Sequence, residues 1–188
     1  MRNVILKSAV ALAVAMPLLA SAESAFTTGA AANITASARV NFSIVIPRFV
    51  SLRVGPVGGT LSTITFSPTG AQLDAGTPVA GTGGDAPPGA VNVTVRGNDG
   101  AIALTATSPP NLTSGADNIP ITQITTASSN VAGLAAPSLV SGVSAPVAPT
   151  VAAKITNQSA VWTYTYTNST VAAAGTYTGQ VTYTATLP

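Results

Sequence analysis

The sequence contains no cysteine and no histidine, and only 6% of its 188 residues are charged. Ordinary globular proteins carry roughly 25%. Without cysteine there are no disulfides, no thiolate nucleophiles and no zinc–thiolate sites. Without histidine the side chain that titrates near neutrality is gone, together with the commonest metal ligand. Lys and Arg number 7 against 5 Asp and Glu, a formal charge of +2. Two of the bases, Arg2 and Lys7, fall within the first 22 residues. The remainder balances Arg39, Arg48, Arg53, Arg96 and Lys154 against Glu23, Asp74, Asp85, Asp99 and Asp117. A neutral chain of this kind has no electrostatic footprint for a nucleic acid or an anionic membrane. Long apolar runs are missing too. The run at residues 9–16 is far shorter than the ~20 residues that span a bilayer, so no membrane span is expected.

That short run has the layout of a secretory signal. Arg2 and Lys7 precede it, Pro17 breaks it, and Ala20-Ser21-Ala22 places small residues where a signal peptidase reads. Residues 1–22 are therefore expected to be a cleaved signal peptide and residues 23–188 a single exported domain, passing through a periplasm if the host is bacterial. An exported chain without disulfides relies on burial and backbone pairing for its stability.

What the chain has in abundance is threonine, 27 residues, set in alternation with apolar side chains. Successive side chains of a strand point to opposite faces, so a period of two predicts a strand with one buried face. Residues 34–46 place Ile34, Ala36, Ala38, Val40, Phe42, Ile44 and Ile46 on one side. Pro47 interrupts, and Val50, Leu52 and Val54 resume the pattern. A short strand is expected at 61–66 and a polar connection at 70–89. A hairpin is expected of Val91, Val93 and Val95 with Ile102, Leu104 and Ala106, joined by Gly97-Asn98-Asp99-Gly100. Further strands are expected at 119–126 and 151–156, with one short strand near Leu139. Trp162, Tyr164 and Tyr166 share one face of a strand at 159–167, and alternation runs from Tyr177 to Leu187 without a fault. No segment after Ala22 has helical spacing. Many short strands between Gly/Pro turns predict an all-β sandwich or barrel.

Candidate chemistry is sparse. Each Asp sits among glycine or proline, where short side chains shape turns, and no two are spaced as a catalytic pair. Calcium accepts loop oxygens, but there is no ligand-spaced acidic cluster for it. Gly81-Thr82-Gly83-Gly84 lacks the following helix and lysine of a phosphate loop. Trp162, Tyr164 and Tyr166 read as core, with a sugar platform as the other option. Asn-x-Ser/Thr triplets at Asn33, Asn41, Asn92, Asn111, Asn157 and Asn168 are expected by chance in so much Ser and Thr. The chain is accordingly read as no enzyme, with no catalytic, metal or cofactor residues and no cofactor.

The ends of the chain carry more. Long strands with little charge template other chains when their N–H and C=O rows are unpaired. The stretch Gly175-Thr176-Tyr177-Thr178-Gly179-Gln180-Val181-Thr182-Tyr183-Thr184-Ala185-Thr186-Leu187-Pro188 resembles the C-terminal strand of chaperone–usher pilus (fimbrial) subunits. In that family a glycine stands fourteenth from the end, followed by alternating apolar residues and an apolar penultimate residue. Gly175 and Leu187 match those places, although Leu187 replaces the usual aromatic and no cysteine pair is present. The resemblance implies an immunoglobulin-like antiparallel β-sandwich of roughly 7–9 strands that lacks one strand. It also implies a gap filled by a periplasmic chaperone at an outer-membrane usher, and then by the N-terminal extension of another copy. Ile34, Ala36, Ala38, Val40, Phe42, Ile44 and Ile46, on an extension at about 23–46, would be the assembly strand. Gly175, Tyr177, Val181, Tyr183 and Leu187 would line the groove. The expected function is a structural subunit of a secreted surface fibre. The alternative is a self-complete secreted β-sandwich that binds a glycan or protein partner through loops such as 70–89.

Overall fold

The computed structural model describes residues 24–30, 32–86 and 88–188, and the expected signal segment at 1–22 lies outside them. The chain divides into two units, Met1–Ile46 and Pro47–Pro188. In the first, residues 33–46 form no strand, helix or turn, and Ile34, Ala36, Ala38, Val40, Phe42, Ile44 and Ile46 are all exposed. The strand expected there, with one buried face, is not formed. A single alternating row has neither ladder partners nor a covering layer, and one strand alone gains too little to order itself in water.

The second unit is mostly β. Its strands are β1 (Val50–Val54), β2 (Ile64–Thr65), β3 (Val79–Ala80), β4 (Thr82–Gly83), β5 (Ala90–Gly97), β6 (Ala103–Ser108), β7 (Asn111–Ser114), β8 (Asp117–Pro120), β9 (Ile124–Ser128), β10 (Gly142–Val143), β11 (Val151–Ala152), β12 (Ile155–Tyr166) and β13 (Thr182–Thr186). All their ladders are antiparallel. The largest sheet runs β1-β5-β12-β11, with β3 and β9 also on β12. β12 is long enough to take two partners in succession along each edge. One edge meets β5 and then β3, the other β11 and then β9. A second sheet runs β10-β6-β13, and β2-β4 and β7-β8 form small ribbons.

Val91, Val93 and Val95 of β5, Leu104 and Ala106 of β6, and Ala160, Trp162, Tyr164 and Tyr166 of β12 share one core with Ile119, Ile121, Ile124, Leu134 and Leu139. The two larger sheets therefore cover each other, and the all-β expectation holds. The expected hairpin does not. β5 and β6 are consecutive but lie in different sheets. Crossing between layers sets their apolar faces against each other, and both edges of β5 are already taken by β1 and β12. Asn98 holds the crossover: Phe49 N donates to its Oδ1 at 2.9 Å, and its Nδ2 donates to the Pro47 carbonyl at 2.8 Å. One side chain thus continues the β1–β5 pairing past Val50↔Gly97.

Other elements differ in detail. The 61–66 strand shrinks to β2. The polar 70–89 stretch contains a helix, α1 (Gly70–Ala75), closed by a reciprocal capping box between Thr69 and Gln72. The 119–126 strand breaks after Pro120, which lacks an N–H for the ladder, into a 3₁₀ turn at Ile121–Gln123 and then β9. Leu139 is buried outside any strand. Residues 151–156 are a hairpin turned by Ala153 and Lys154, whose φ angles are 48° and 69°.

Candidate functional site

β13 ends the second sheet. Its one ladder is with β6, setting Tyr183 opposite Ala106 and Ala185 opposite Leu104. Among the described residues its other edge has no partner strand. Val181, Tyr183, Ala185 and Leu187 pack against the core but stay half-buried, while Thr182, Thr184 and Thr186 face outward and are exposed. Such an edge offers a row of main-chain donors and acceptors beside apolar side chains that another strand would cover.

Tyr183 is the anchor of that strand. Its ring meets Trp162 at a centroid distance of 5.1 Å and a tilt of 56°. Its hydroxyl lies 2.9 Å from that of Tyr164, joining the two sheets through the core. Burial pushes the Tyr183 hydroxyl far above the ordinary tyrosine value, and neighbouring Tyr164 adds to the rise. Burial raises Tyr164 as well, partly offset by its hydrogen bond to Tyr183.

Of the expected groove residues, Val181, Tyr183 and Leu187 lie on or beside β13. Gly175 and Tyr177 precede it in a stretch with one isolated bridge, Thr113↔Thr178. The unbroken alternation from Tyr177 therefore yields a strand only over its last part. Gly175 is exposed, and a Cβ there would sit 2.5 Å from Ser114 Oγ. The Tyr177 hydroxyl donates to the Ala173 carbonyl at 2.9 Å. The expected assembly residues belong to the other unit.

Two features escaped the sequence reading. β1 is also a terminal strand, with Leu52 and Val54 half-buried, and Cα atoms of β1 and β13 come within 8 Å with no ladder between them. Arg48 spans the same end of the unit: its guanidinium donates to the Pro188 carbonyl at 2.7 Å and pairs with Asp99. A lone arginine after Pro47 was the signal available.

The carboxylates are dispersed. Asp85 accepts from Asn92 N at 2.8 Å, as a turn-shaping residue does, and Asp99 pairs with Arg48. Asp74 lies in α1 and Asp117 opens β8, so these two are within elements rather than in connections. Among the described residues no three of His, Cys, Asp and Glu come together, and no helix is long and apolar enough to cross a membrane. Trp162, Tyr164 and Tyr166 are buried, so they are core and not a sugar platform. Gly83 and Gly84 have positive φ and close a tight loop.

No protein-family model, curated protein or solved structure matches this chain.

Proposed function

We propose that this chain is a structural subunit of a secreted surface fibre, joined to further copies by β-strand complementation. The observation that carries the reading is the open β13 edge with its half-covered apolar row. The matching part is residues 34–46, whose alternating apolar side chains are exposed and in no ladder. Four apolar residues, Val40, Phe42, Ile44 and Ile46, would meet Val181, Tyr183, Ala185 and Leu187. In an antiparallel register the bulky Phe42 falls beside Ala185, the smallest of the four. Covering apolar surface contributes roughly 25 cal/mol per Å², and each ladder hydrogen bond a net ~1 kcal/mol. With 6% charged residues, little repulsion opposes contact between copies.

On this reading the second unit is an immunoglobulin-like sandwich short of one strand, and residues 1–22 are a signal peptide. The protein works outside the cell, and its partners are other copies, with a periplasmic chaperone and an outer-membrane usher if the host is bacterial. Strands that flank a third lie on the order of 9–10 Å apart. A guest strand between β1 and β13 must therefore part them slightly, whereas one seated on β13 alone need not.

The test compares the full exported chain with one lacking residues 23–46. Electron microscopy should show fibres for the first and single folded units for the second, and a synthetic 34–46 peptide should bind the truncated form. Equal assembly by both would end the proposal. A full chain that stays monomeric at high concentration would favour the self-complete domain instead.

A further inference from the structure

A second site lies on the outward face of the largest sheet, away from any strand edge. Register sets Arg53 of β1 opposite Thr94 of β5, and Thr94 opposite Ser159 of β12, in one row across three strands. The turn after β9 walls the row: Ser129 Oγ accepts from Val161 N at 2.9 Å, and Asn130 Nδ2 donates to the Ser159 carbonyl at 3.1 Å. Arg53, Asn92, Thr94, Ser129 and Ser159 line the resulting groove of about 240 Å³. That is below the ~300–1,000 Å³ of pockets for drug-sized ligands and suits a polar ligand the size of a single sugar ring.

The groove has polarity. Arg53 donates to Thr94 Oγ1 at 3.1 Å, which leaves most of its five-donor fork free. Arg96 sits diagonally across the ladder on the same face, a separation of about 7–8 Å between such positions. Among the described residues Arg96 has no hydrogen-bond or ion-pair partner, and the Ser159 hydroxyl is likewise uncommitted. At the other end Asp85 holds the Asn92 amide, with Nδ2 to Oδ2 at 3.3 Å. Along β5 the face therefore runs from the Asp85 carboxylate at Asn92 to the Arg96 cation, with Arg53 and the hydroxyls of Thr94 and Ser159 in the row between them. Two arginines are too few for a nucleic-acid backbone, which needs many phosphate contacts.

We infer that this groove binds a sugar residue carrying a carboxylate, the carboxylate on the Arg53 fork and the ring hydroxyls on Thr94, Ser159 and Ser129. A planar guanidinium matches a carboxylate with two parallel hydrogen bonds, which a lysine does not reproduce. The site is independent of the β13 edge, so it stands or falls separately from fibre assembly.

Saturation-transfer NMR on the full exported chain tests it with D-glucuronate, D-glucose and inorganic sulfate as probes, since this readout works on monomers and fibres alike. Glucuronate should show transfer and glucose little. Arg53→Gln should weaken glucuronate binding about tenfold or more, with Arg53→Lys recovering little of it. Ser159→Ala should weaken it to a smaller extent, and it serves as the deciding variant if Arg53→Gln fails to fold by circular dichroism. Equal transfer to glucose, undiminished binding in the folded variants, or complete displacement by equimolar sulfate would overturn the inference. So would tighter competition by an acidic peptide, which would assign the face to a protein partner.

Discussion

Tyr183 does three things at one position: it fills the core against Trp162, bonds Tyr164, and belongs to the strand whose outer edge is open. Tyr183→Phe leaves the buried Tyr164 hydroxyl without its partner and should cost about 1–3 kcal/mol in urea unfolding. Replacing both by Phe should cost less than that single change, because no orphan remains. The pH dependence follows from the same pair. Both hydroxyls hold their protons more tightly folded than unfolded. Below pH ~10 neither state ionises, so stability is flat. Above it only the unfolded chain gives up protons, and stability should fall by up to about 1.4 kcal/mol per pH unit for each tyrosine. Alkaline titration followed by fluorescence checks this, and the slope should shrink without vanishing in Tyr183→Phe, because burial also raises Tyr166. Gly84 is constrained by backbone: its φ is +83° and a Cβ would sit 1.9 Å from the Ala90 carbonyl oxygen. Gly84→Ala should therefore lose more than about 2 kcal/mol, read as a shift in the denaturation midpoint.

Among the elements, the legible ones were those whose period was local. β1, β12 and β13 follow alternations that any reader of the sequence sees, and α1 announces itself in Thr69 and Gln72, a capping pair that the reading passed over. Partnership was not legible. Whether β5 turns back onto β6 or crosses to another layer depends on which strands arrive from elsewhere, and Gly97-Asn98-Asp99-Gly100 suits either path. The failed strand at 34–46 teaches the same lesson from the other side, since an alternation broken only at Val45 forms no ladder without a neighbour. The groove at Arg53 was invisible for a related reason: Arg53, Thr94 and Ser159 are far apart in sequence, and only register makes them a row. Arg48 belongs to this scale, tying the end of β13 to the start of β1. Arg48→Ala should speed amide exchange across 182–187 by up to about fivefold, as exposed pairs contribute ~1 kcal/mol or less.

For the molecule as a whole, the exposed state of residues 34–46 has a thermodynamic signature. The denaturant slope tracks surface uncovered on unfolding, so removing residues 23–46 should leave the slope and midpoint of the monomer unchanged. Adding the 34–46 peptide to that shortened form should raise its stability by about 2.7 kcal/mol at a hundredfold excess over Kd. No rise at any concentration would mean that β13 does not receive this segment. The turn at Ala153 and Lys154 carries the single side-chain amine between residues 24 and 188. A succinimidyl dye therefore marks one hairpin tip of every copy besides the α-amine, and energy transfer between tip dyes along a filament, identified by its loss in Lys154→Arg, would report the repeat from subunit to subunit.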